Sequence, residues 1–142
     1  MSRFRTFLAL SPAERRAFFA AWRWTCAARI RLRVSGLGPT LRAWRRPAKA
    51  PSSWPAAARW IRTAARYCPG GSTCLVRSVA LYGLLRRAGV PAELRIGVGM
   101  VRPRLEAHAW VEVAGQPVND AGNVAARYTP FGGSLLSTPA QS

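Results

Sequence analysis

The sequence predicts an α+β chain, with helices gathered in the first 88 residues and antiparallel strands after them. Three observations carry this. Apolar residues recur at helical spacing from Ser11 to about Val34 and again from about Pro55 to Tyr67. Residues 73–88 are apolar on most sides, the mark of a central, buried helix. After Pro91 the period shortens to that of strands and turn residues punctuate it. A chain of 142 residues suits one domain. At that size roughly 68–70% of the unfolded surface is buried, so no disulfide or metal staple is needed.

The first helix starts at Ser11-Pro12-Ala13-Glu14, which has the form of a capping box. The Ser11 hydroxyl can accept from the Glu14 amide, Glu14 can reach back, and Pro12 stands where its missing N–H costs nothing. Phe19, Trp22, Cys26 and Ile30 then recur at helical spacing, with arginines between them and on the apolar side, which favours packing on the domain over lying on a membrane surface. Gly36 and Gly38-Pro39 stop the helix. Residues 38–53, with Pro39, Pro47 and Pro51, predict a basic loop. In the helix from Pro55, Trp60, Ile61, Ala64 and Ala65 form the side to be buried, and Cys68-Pro69-Gly70-Gly71 breaks it. Ser72 or Thr73 can cap the central helix, whose end is marked by Arg86-Arg87, Gly89 and Pro91. Glu93–Met100 and His108–Val113 form two strands, and Ala114-Gly115 turns into a third over Pro117–Asp120. A further short strand fits near Tyr128, and the Gly-, Ser- and Thr-rich residues 132–142 make a loose tail.

Lys and Arg number 22 against 5 acids, a net charge of +17. Fifteen of the 22, with only Glu14 opposing them, fall in residues 1–66. Such an excess fits a docking surface for an acidic peptide, nucleic acid or lipid. A GC-rich coding sequence gives the same skew, because all but Lys49 are Arg and Ala is abundant. No apolar run approaches the roughly 18–20 residues of a membrane span, and no secretory signal is legible at the start. Three cysteines with no close CxxC pairing favour a reducing cytoplasm over a disulfide framework.

The residues that carry chemistry are few. One histidine and no HExxH leave zinc proteolysis unsupported, and one aspartate excludes an aspartic dyad within the chain. A nucleophile, one imidazole and one orienting carboxylate remain. His108 begins one strand and Asp120 ends the next, across a tight turn that brings them opposite or within a residue of it. Cys74 follows Gly70-Gly71-Ser72-Thr73 at the first turn of the central helix, where amides and the helix dipole stabilise negative charge. Cys26 and Cys68 are expected to be small buried hydrophobes. Ser72, Thr73 and Ser78 are rival nucleophiles, the first two better explained as caps and the third one turn deeper.

The run from Cys74 to Gly89 resembles the core motif of the lasso-peptide leader peptidases, in their stand-alone protease form. So do Ala92–Val98, Ala107–Val113 and Pro117–Asp120. These peptidases belong to the transglutaminase-like superfamily. The resemblance implies a papain-like core over residues 67–131 behind a basic helical extension over residues 1–66. It implies a Cys74, His108, Asp120 triad that removes the leader from a ribosomally made precursor, without metal or cofactor. It also implies two partners, a small leader-recognition protein and an ATP-dependent lasso cyclase. Two other classes stay open: amide transfer on the same triad, and a non-enzymatic basic binding protein. The second would call for an aromatic-and-basic ribbon or a binding motif, and the sequence has neither.

Overall fold

The computed structural model describes residues 7–45, 55–120 and 123–131. The tail from residue 132 and the prolines at 47 and 51 lie outside the described residues. Helix α1 spans Pro12–Val34 and opens on the capping box: the Glu14 amide donates to Ser11 Oγ at 3.2 Å, and the Ser11 amide donates to Glu14 Oε2 at 2.8 Å. Those bonds hold the Glu14 carboxyl below its ordinary pKa.

The buried side of α1 departs from the spacing. Ala21, Thr25 and Ala28 face the core, while Phe19 and Ile30 are half or more exposed. Small residues win this face because α1 lies close against the central helix. The Thr25 hydroxyl is satisfied by the Ala21 carbonyl at 2.8 Å.

Helix α2, Leu37–Trp44, replaces the first part of the loop expected over residues 38–53. Gly36 at φ +79° turns the chain out of α1 and then caps α2. Pro39 falls in the first turn of α2, where no amide is required, so it permits the helix that its presence argued against. Leu41 and Thr40 are buried.

Helix α3, Pro55–Ala65, buries Trp60, Ile61, Ala64 and Ala65. Helix α4, Cys74–Arg87, is capped by Thr73, whose hydroxyl accepts from the Val76 amide at 3.3 Å. It buries Val76 and the unbroken run Ser78–Gly83, so it touches neighbours on nearly all sides. Helices α1, α2 and α3 pack against it, as do the first two strands, and one apolar core joins them. Gly89 at φ +83° ends it.

Among the described residues, four strands form one antiparallel sheet in the order β3-β2-β1-β4. Strands β1, Ala92–Val101, and β2, Arg104–Val113, pair along their whole length, with Gly97 opposite His108. Strand β2 therefore begins four residues before His108. Ala114 and Gly115, both at positive φ, make the two-residue turn into β3, Gln116–Pro117. The third strand is shorter than the sequence suggests, because Val118–Asp120 bends away from the ladder. A four-residue helix α5, Val124–Arg127, leads into β4, Thr129–Pro130.

Candidate active site

Cys74 is the first residue of α4, and its side chain is half-buried. Two glycines before it, Gly70 and Gly71, hold φ of +78° and +81°, a path closed to other residues without strain. Arg29 of α1 fixes that turn by donating to the Gly71 carbonyl at 3.0 Å. A Cβ on Gly70 would collide with the same guanidinium. The entry to α4 is thus anchored from α1, and its free amides lie around Cys74.

Across a cavity of about 620 Å³ stand His108 and Asp120, both lining it together with Cys74. His108 Nε2 is hydrogen-bonded to Asp120 Oδ2. Asp120 Oδ1 accepts from Arg127 Nη2 at 2.9 Å. A carboxylate that is ionised can only accept, so a neutral ring in this bond holds its proton on Nε2 and keeps the Nδ1 lone pair. Asp120 lies three residues past the last pairing of β2 with β3, Glu112 with Pro117, where the chain has bent out of the ladder. The imidazole stacks on Tyr128 at 4.8 Å between ring centroids, and more loosely on Trp110 at 6.1 Å. Those rings fix its plane.

Beneath this pair runs a polar bridge between helix and sheet. Ser78 Oγ donates to the Ala109 carbonyl at 2.9 Å and accepts from Asn119 Nδ2 at 3.0 Å. Asn119 Oδ1 in turn accepts from the Val111 amide at 2.8 Å. Ser78 is fully buried with its hydroxyl engaged on both sides, so it serves as a strut between α4 and β2. The other rivals are occupied too. Thr73 caps α4, and Ser72 donates to the Ala65 carbonyl at 3.3 Å.

Cys26 and Cys68 are set apart from the cavity, as residues of the α1 face and the turn after α3. Both are free thiols with sulfurs 3.9 Å apart, a proximity that nothing in their spacing announced. Burial, then the bond to Cys68, pushes the Cys26 thiol up.

Sequence reasoning overlooked Asn119 and Arg127 as supports of the site, and Arg59, Arg62 and Arg77 as part of the cavity wall. The signal for Arg77 was available: it lies three residues after Cys74 on one helix face.

A family model described as the transglutaminase-like superfamily matches residues 15–132, from α1 to the end of β4. Comparison with curated proteins gave no match, nor did comparison with solved structures.

Proposed function

The chain belongs to the transglutaminase-like superfamily, whose members are typically cysteine peptidases or transamidases, and on that footing we propose that it is a cysteine peptidase that cuts the leader from a ribosomally made lasso-peptide precursor. The observation that carries the chemistry is one cavity lined by a helix-start cysteine and a histidine bonded to a carboxylate. The choice of precursor rests on the resemblance of the runs Cys74–Gly89, Ala92–Val98, Ala107–Val113 and Pro117–Asp120 to the lasso leader peptidases.

In this reading Cys74 Sγ attacks the carbonyl carbon of the scissile amide, and a C–S bond forms. The oxyanion develops beside the Cys74 amide at the start of α4, where the helix dipole and free N–H groups favour negative charge. His108 Nδ1, which takes the Cys74 thiol proton as the thiolate forms, delivers that proton to the departing amine as the C–N bond breaks. A thioester remains. His108 then takes a proton from water, the hydroxide attacks the thioester carbonyl, and the C–S bond breaks to release the carboxylate and Cys74. Asp120 holds the ring in the required tautomer throughout. A separate leader-recognition protein would present the precursor, and an ATP-dependent cyclase would take the released core.

The test is leader release from such a precursor, with the recognition protein present, followed by mass spectrometry. Hydrolysis at a single bond is expected, lost in Cys74→Ala with the circular dichroism unchanged and retained in Cys26→Ala and Cys68→Ala. Full cleavage by Cys74→Ala would overturn the proposal. A product heavier by an added amine would instead assign amide transfer to the same thioester.

A further inference from the structure

The wall of the cavity carries more positive charge than the reaction needs. Arg59 and Arg62 come from successive turns of α3, and Arg77 from α4, one turn beyond Cys74. The one carboxylate among the described residues of the wall, Asp120, is already engaged with His108 and Arg127. Arg59 lies over the Trp60 ring at 5.0 Å and its charge is felt at Glu14. Arg62 and Arg77 form no ion pair or hydrogen bond with any described residue. Arg77 is half-buried beside the nucleophile, in the most buried of the described helices. A cation scattered by base composition settles in water. One kept half-buried without a counter-charge costs free energy that an arriving anion returns.

We propose that Arg62 and Arg77 form an acidic-side-chain subsite, so that the preferred substrates are peptides carrying Asp or Glu beside the scissile bond. The inference rests on Cys74 being the nucleophile of this cavity. Guanidinium groups suit the task, because their planar forks pair with carboxylates bidentately. Two of them, on packed helices that both line the cleft, can bracket one carboxylate while the peptide backbone passes Cys74.

A pair of small probes tests this without knowing the substrate. Iodoacetate and iodoacetamide both alkylate a thiolate, forming an S–C bond as iodide leaves, but only the first is an anion. In open water like charges repel, so a thiolate prefers the neutral reagent. At Cys74 of the intact protein, followed by mass spectrometry of its peptide, iodoacetate is expected to be at least as fast. In the double variant Arg62→Gln/Arg77→Gln the ratio of the two rates should fall about five- to tenfold, the scale of two screened charges at short range. Arg33→Gln/Arg42→Gln removes the same charge outside the cavity and should leave the ratio unchanged. Arg62→Gln alone, at an exposed position of α3, gives a smaller fall and guards against misfolding of the double variant. An unchanged ratio in the cavity variants overturns the inference, and so does an equal fall in the control. A Cys74 that the neutral reagent labels no faster than Cys68 overturns the peptidase reading itself, which separates the two failures.

Discussion

Asp120 divides its two oxygens between the imidazole of His108 and the guanidinium of Arg127. This division makes its chemistry sharper than its charge alone. In Asp120→Asn the shape is kept, but the carboxamide can turn its N–H toward Nε2. That placement moves the ring proton to Nδ1 and removes the lone pair that Cys74 requires. Loss of kcat of about 10⁴-fold is expected, the scale that tautomer inversion carries in hydrolytic triads. Leader release followed from about pH 6 to 9, the working span of such a pair, checks it. Activity equal to the parent at every pH would remove Asp120 from the role. The three residues were legible because they sit at or just beyond main-chain regularities: a helix start, a strand and the segment that follows the returning strand. Asn119 was not, because its oxygen answers a main-chain amide, that of Val111, and such amides leave no trace in side-chain pattern. Arg127 was hidden because the four residues of α5 are too few to show a period.

At the scale of elements, the contact between α4 and the helices before it turns on a missing side chain. Gly83 sits where a Cβ would come within 2.5 Å of both Trp24 and Trp44, which themselves pack edge to face at 4.8 Å. Two effects oppose each other in Gly83→Ala. Helix propensity favours alanine by about 1 kcal/mol. Overpacking a fixed aromatic pair costs about 1–3 kcal/mol, and two rings must move, so the cost wins. A lower midpoint in urea unfolding is expected, with an unchanged slope. A midpoint equal to or above the parent would mean that the two tryptophans yield freely. The same contact explains what the sequence concealed. The apolar stripe Phe19, Trp22, Cys26, Ile30 follows the largest side chains, whereas a helix pressed closely against another buries its small ones, here Ala21, Thr25 and Ala28. Helices α3 and α4 were legible because their large apolar residues do face the core. Helix α2 was not, since a proline near a helix start and a proline that ends one look alike until the boundary is known.

Taken as one molecule, the chain places its basic N-terminal helices and its sheet on one core, centred on α4, and the family match over residues 15–132 takes in both. The arginines of α1 therefore do two kinds of work. Arg29 braces the turn ahead of Cys74, while others, such as Arg23 and Arg33, are exposed. Composition alone could not separate them, because a count of charges carries no position. The whole chain contains a single histidine, and it lies against the faces of Tyr128 and Trp110. Aromatic rings in a magnetic field shield nuclei held above their faces. In heavy water the intact protein should therefore give one pair of imidazole carbon-bound proton resonances, displaced upfield from those of free imidazole. The pair should vanish in His108→Gln and return toward the free position in Tyr128→Leu. Resonances already at the free position in the parent would mean that the ring does not stack. With no second imidazole to overlap it, the protonation of the proposed base can be followed directly, without isotopic labelling of the protein and without substrate.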